Sequence, residues 1–294
     1  MRITNNMMVG TFLRNLNNNS RAMDKLQERL STGKQLNRPS DDPVGLVGAL
    51  RLRTGLAEAE KYLDNANDGI SWLETTDTAL GQLGDILQRV RELTISGASD
   101  ALPQQARNAI AQEINQISEQ ILQIANTTQG NKYIFAGYRT DQPAFGAGGI
   151  YNGTTNPSPI EYEIGVNVKI SVNVEGDRVF TAIPDIFTLL TNISADLTAA
   201  NTANLSGPRI GEIDAAMDRI LSIRSEVGAK ANRLELTKTR LEDADLNLTN
   251  LLSKIEDANM GETITQLKMQ ENVYRSSLGA GARIIQPTLM DFLR

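Results

Sequence analysis

The sequence predicts a mainly α chain. It reads as an elongated antiparallel helical rod or coiled coil, formed by the N- and C-terminal segments, with a small β-rich outer domain inserted in the middle. Three observations predict it. Apolar residues recur every seven positions in both halves of the chain, the spacing that keeps one stripe of a helix turned towards a partner helix. Residues 130–183 change to β-branched and aromatic runs separated by turn dipeptides. Aromatic residues make up only 4% of the 294, so aliphatic side chains must build the core.

The elements follow in chain order. Val9, Leu16, Met23 and Leu30 step by seven, with Phe12 and Leu26 at the second seam position and polar Asn19 interrupting the series. The pattern stops at Thr32-Gly33, a C-cap pair. The segment GKQLNRPSDDPV (33–44) breaks the helix, and Ser40 and Asp41 are expected to cap the next one, with Pro43 in its first turn. Leu52, Ala59, Ala66, Leu73, Leu80 and Leu87 then keep the seven-residue step as far as about Gly97. They read as one long helix, or as two hinged near Asn67-Asp68-Gly69. Ile110, Ile114, Ile117, Ile121 and Ile124 line one face of a further helix over 104–128.

Strands are expected at 132–135, 159–164, 166–174 and 178–182, the alternation Val168, Ile170, Val172, Val174 being the clearest. Helical spacing returns at Asp185 and holds towards the end. Val227, Leu234, Leu241, Leu248 and Ile255 step by seven, and Ile264, Leu267, Tyr274 and Leu278 carry the seam onward. The C-terminus is apolar for an exposed tail, with Ile284, Ile285, Leu289, Met290, Phe292 and Leu293, and Pro287 interrupts any helix there. The spans divide the chain into a terminal coiled-coil domain (1–42 plus 258–294), a helical rod domain (43–129 plus 184–257) and a β-rich outer domain (130–183).

Composition removes whole classes of function. Cysteine and histidine are both absent, which excludes disulfide scaffolds, thiolate chemistry and imidazole mechanisms. A net charge of −6 argues against a nucleic-acid binder that works by neutralising phosphates. No apolar stretch approaches the ~20 residues that span a bilayer, and the first twenty residues lack the apolar region of a cleaved signal peptide. Asp41-Asp42-Pro43 offers adjacent carboxylates but no third ligand, so capping is preferred to metal binding. Asn67-Asp68-Gly69 is likewise a poor fragment of a calcium loop. The first forty residues hold seven Lys/Arg against two acidic residues, an excess that reads as a solvated face before a lipid-binding one. With no nucleophile–base set and no phosphate-cradling glycine loop, neither catalysis nor a cofactor is expected.

A two-helix seam leaves much of the ~1.5–3 kcal/mol available per buried Leu or Ile unrealised, while the ordering entropy must still be met. The terminal helices are therefore expected to need partners, through Val9, Phe12, Leu16, Met23, Leu26 and Leu30 at one end. At the other end the expected contacts are Ile264, Leu267, Tyr274, Leu278, Ile284, Ile285, Leu289, Met290, Phe292 and Leu293. The seams of 44–128 and 207–255 are expected to form a core within the chain.

Five segments carry a resemblance: MRITNNMM (1–8), LSTGKQLNRPSDDPVGLVGALRLR (30–53), GNKYIFAGYRTDQPAF (130–145), RSEVGAKANRLE (224–235) and IIQPTLMDFL (284–293). Together they resemble the bacterial flagellin superfamily. Residues 130–145 resemble its members at the hook–filament junction rather than its filament subunits. Thr288 and Met290 depart from the usual Ser-Leu-Leu-Asp-Phe-Leu-type ending, and 146–183 carry little family signal. The resemblance implies a non-enzymatic structural protein, extracellular in the flagellum and exported through the flagellar type III apparatus without a cleaved signal peptide. It implies a homo-oligomeric ring above the other junction protein, accepting the first flagellin subunits, with an export chaperone at the C-terminal region beforehand. Pro39, Ser40, Asp41, Asp42 and Pro43 would form the family-motif turn. The alternatives are a filament flagellin and a cytosolic coiled-coil scaffold.

Overall fold

A computed structural model describes residues 5–152 and 159–285, with side chains over 7–152 and 159–282. Helix α1 (Asn5–Thr32) ends where Gly33 turns to φ +71° and donates its N–H to the Arg29 carbonyl at 2.9 Å. Helix α2 (Pro43–Gly97) runs unbroken through Asn67-Asp68-Gly69. A methyl group at Gly69 would lie 3.0 Å from Leu234 Cδ1 and 3.4 Å from Val172 Cγ1, so this glycine admits close packing rather than a bend. Helix α3 (Gln104–Ala125) leads into two short strands, β1 (Thr128–Gln129) and β2 (Lys132–Tyr133), paired antiparallel. Gly130 (φ +53°) and Asn131 (φ +68°) make their turn, which needs residues tolerant of positive φ.

The second hairpin pairs β3 (Glu161–Gly165) with β4 (Val168–Ser171), antiparallel, with Tyr162 opposite Ile170. Both strands are shorter than the sequence suggested. The strand expected at 178–182 is instead a wide helical turn, Asp177–Thr181. Val179 and Phe180 are both fully buried. A strand would send consecutive side chains to opposite faces, whereas a helical turn delivers both to one core. The guanidinium of Arg219 fastens this turn, donating to the carbonyls of Val179 (3.1 Å), Ala182 (2.8 Å) and Pro184 (3.0 Å). Helix α4 (Ile186–Thr198) is capped by Asp185, whose carboxylate accepts the Thr188 N–H at 2.8 Å. A single turn α5 (Thr202–Asn204) and a wide turn (Leu205–Arg209) precede α6 (Ile210–Glu256), and α7 (Met260–Ile285) follows a break.

The chain divides into two compact units, one of residues 1–58 with 244–294 and one of residues 59–243. The second holds the hydrophobic core. Leu73, Leu80, Leu83, Leu87 and Val90 of α2, Ile114 and Ile121 of α3, and Ile213, Ile220, Val227 and Leu234 of α6 are all buried there. Within it α2 and α6 run antiparallel, tied by Arg224–Asp77 (2.9 Å) and Arg91–Asp214 (2.7 Å). Mainly helical structure with long terminal helices and a small β-rich middle is thus the observed fold.

Candidate assembly surface

The unit of 1–58 and 244–294 is built as a helix pair without a sealed core. On α1 the partly buried positions include 9, 12, 16, 19, 23, 26 and 30, alternating steps of three and four. On α7 the inward positions are 263 and 281, both buried, and 267, 270, 274 and 277, partly buried, again in steps of four and three. These are the two seams of an antiparallel coiled coil. Phe12 lies against Gly281, and a methyl group there would overlap the ring. Midway, Asn19 faces Gln270, whose side-chain amide donates to the Asn19 Oδ1 at 3.3 Å and to its carbonyl at 3.4 Å. The asparagine that interrupts the apolar series is therefore partnered inside the seam.

Residues 30–53 act as a clasp across this unit. The Lys25 ammonium pairs with Asp41 at 2.8 Å and Arg38 with Glu28 at 3.1 Å, drawing the loop back onto α1. The Asp41 carboxylate also accepts the Arg38 N–H at 3.1 Å, and the Lys25 hydrogen bond holds its carboxyl below the ordinary range. Asp42 accepts the Val44 N–H at 3.0 Å and so caps α2, a role the sequence suggested for Ser40 and Asp41. Across the loop, Gln35 donates its N–H to the Glu256 carbonyl (2.6 Å) and Ala258 to that of Gly33 (2.9 Å).

Glu256 is the centre of the clasp. It is 4% exposed and takes ion pairs from both Lys34 and Arg53. Burial pushes its carboxyl up, but the hydrogen bonds from Lys34 and Arg53 outweigh that and leave it below the ordinary glutamate value. Sequence reasoning missed Glu256. The readable signal nearby is Asn259-Met260-Gly261-Glu262, a capping pattern that starts α7: the Asn259 side chain accepts the Glu262 N–H at 3.3 Å.

Among the described residues of this unit, Ala49 is the only apolar residue fully buried. Val9, Phe12, Leu16, Met23, Leu26, Leu30, Leu267 and Tyr274 are half-buried, while Ile264 (49%) and Leu278 (45%) are exposed. The side chains of Ile284 and Ile285, and all of Leu289, Met290, Phe292 and Leu293, lie outside the described residues. Pro39, Ser40, Asp42 and Pro43 are exposed and Asp41 half-buried. Met7, Met8, Leu13, Val44, Val47, Leu50, Met269 and Val273 are exposed as well and were not singled out from sequence. Their signal is apolar character off the seam, at positions a self-sufficient helix pair would fill with polar residues.

Residues 130–145 belong to the other unit, where they form an aromatic hub. Ile134, Phe135, Ala136, Ala144 and Phe145 are buried. The Phe135 and Phe145 rings meet Phe180 edge-on with centroids 5.3 and 5.0 Å away, and Phe145 sits 5.1 Å from Tyr151. The Asn126 side chain brackets the Phe145 backbone, donating to its carbonyl and accepting its N–H, both at 2.9 Å. Burial, with the charges of Asp177 and Glu175, pushes the Tyr151 phenol up to about 12, so it packs as a neutral ring. No group of three or more acidic side chains among the described residues is placed to hold a metal ion, and no described helix is long and apolar enough to cross a membrane.

The family model of the bacterial flagellin N-terminal helical region matches residues 3–140, and that of the C-terminal helical region matches 210–293. A flagellin of Bacillus subtilis is 30% identical over 284 residues, covering 90% of each chain. The chain belongs to the bacterial flagellin family. Flagellar hook-associated protein 3 of Escherichia coli is 28% identical over 305 residues, covering 95% of this chain and 96% of its own. The crystal structure of Bacillus cereus FlgL shares the fold, with TM-score 0.61 and 23% identity over 69% of this chain and 99% of that one. In this flagellin-family chain the two matched regions supply α1, α2, α3, α6 and α7, and the role is structural rather than enzymatic.

Proposed function

We propose that this flagellin-family chain is the hook–filament junction protein of a bacterial flagellum, working outside the cell as a template for filament growth. The observation that carries the reading is the 130–145 segment, the part of the sequence that resembles junction members, which is built into the core as its aromatic hub. The exposed apolar residues of the terminal unit support an assembly role, because neighbouring subunits would bury them. The partners are further copies of this chain in a ring, the other junction protein below and flagellin above, with an export chaperone on the C-terminal region before secretion.

The identity to the Bacillus subtilis flagellin favours a second reading, a filament subunit present in many copies. Deleting the gene separates the two. The junction reading expects hooks without filaments and flagellin shed into the medium, restored by the intact chain. Normal filaments in the deletion strain overturn it. Removing residues 284–294 is expected to abolish incorporation while residues 59–243 stay folded.

A further inference from the structure

We propose that Leu236 of one copy docks into the groove between α2 and α3 of the next copy, giving a staggered lateral contact. The proposal rests on the junction reading above and adds the residues and the geometry. On α6, Leu236 is 74% exposed, and Arg233 and Arg240 bracket it at three and four residues on the same helix face. Neither guanidinium is in a salt bridge among the described residues. An exposed apolar side chain flanked on one helix face by two cations without salt bridges serves as a knob with a stated complement: an apolar floor with acceptors at its rim.

The same unit carries such a groove. Gln82, Asp85 and Ile86 of α2 and Gln120, Gln123 and Ile124 of α3 line an open cleft of about 580 Å³. Ile86 and Ile124 give it an apolar floor, and the Asp85 carboxylate with three glutamine amides supplies acceptors for arginine. Asp85 is in no salt bridge among the described residues, although its charge acts at longer range on Arg224, and no lysine or arginine lines the cleft.

The knob cannot reach the groove of its own chain. Arg224 pairs with Asp77 and Leu234 lies beside Gly69, so Leu236 stands level with residue 67 or so of α2. The groove floor at Ile86 is some nineteen residues further along, about 25–30 Å at the rise of an α-helix. A leucine side chain spans only a fraction of that, so the occupant is a second copy. Knob and groove are different surfaces, so the contact is head-to-tail and passes from copy to copy around the ring. With an axial step of that size, neighbouring copies are staggered rather than level. In the docked pair Arg240 comes level with Gln82, one turn from Asp85.

The absence of cysteine makes the test clean. Flagella are purified from cells whose only copy of the chain carries Leu236→Cys and Ile86→Cys, then oxidised. The expected result is a reducible ladder of dimers, trimers and higher multimers, absent from each single variant, because only adjoining Cβ atoms can be bridged. Monomer alone in flagella that contain the chain overturns the contact and leaves the junction reading intact. Absence of even the unaltered chain from flagella overturns the junction reading and this contact with it. A second measurement spares the apolar anchor: formaldehyde cross-linking of the Arg240→Glu variant is expected to lose the multimers and regain them when Asp85→Arg is added. Multimers undiminished by Arg240→Glu, or lost without recovery on adding Asp85→Arg, overturn the pairing.

Discussion

Glu256→Gln removes the charge at the centre of the clasp while keeping the side chain's shape. The Glu256 side chain is 6% exposed and holds the Lys34 and Arg53 side chains, which are 44% and 50% exposed. Hydrogen bonds to a charged group contribute about 1.5–3 kcal/mol. The half-exposed cations recover water when released, which keeps the cost below the ~3–5 kcal/mol of breaking a pair buried at both ends. At ~1.4 kcal/mol per tenfold, the opening equilibrium of the clasp should rise about 10- to 150-fold. Amide hydrogen exchange reads this directly, because the Gln35 N–H bonds to the Glu256 carbonyl and the Ala258 N–H to that of Gly33. Both amides are expected to exchange faster by that factor, while the Leu80 amide, in the other unit's core, keeps its rate. Unchanged exchange at Gln35 and Ala258 would refute the clasp. Equal acceleration at Leu80 would show that the loss is not local to the clasp.

Acid should loosen the same unit. The Glu256 and Asp41 carboxyls lie below their ordinary values of 4.5 and 3.8 in the folded chain. The stabilisation they give is complete above those values and is lost as pH falls through the lower folded ones. Helicity by circular dichroism should therefore decline below about pH 4.5, and the decline should shrink in a Glu256→Gln, Asp41→Asn variant; an identical acid profile in that variant contradicts the assignment. Gly281→Ala places a methyl group on the Phe12 ring, costing about 1–3 kcal/mol by overpacking. It should speed exchange in α1 and α7, whereas unaltered protection there would mean the seam does not close as described. Phe145→Ala empties the middle of the aromatic hub, where Phe145 is 2% exposed. A loss of about 3–5 kcal/mol in urea unfolding is expected, and under 1 kcal/mol would show that the hub is not a packing centre.

Much of this fold is written in apolar spacing. The α1 seam from Val9 to Leu30, its end at Gly33, the long α2 and the return of helix at Asp185 all follow from it, since each is a local pattern with a local terminator. Elements decided by distant contacts were not readable. Gly69 looks like a hinge in sequence and is a packing notch for Leu234. Val179 and Phe180 favour a strand by residue type, yet both are drawn into one core by the turn that Arg219 fastens. At the candidate surface, Leu267 and Tyr274 follow from the heptad, but the partnering of Asn19 with Gln270 and of Glu256 with Lys34 and Arg53 joins residues more than 200 positions apart. No spacing rule reports a pair of that kind.

Immunogold labelling of intact flagellated cells reads the position of this chain in the flagellum. An antibody raised against residues 140–183 is expected to mark a single band where hook meets filament. Label along the whole filament would make the chain a filament flagellin, and label confined to the cytoplasm would leave only a coiled-coil scaffold.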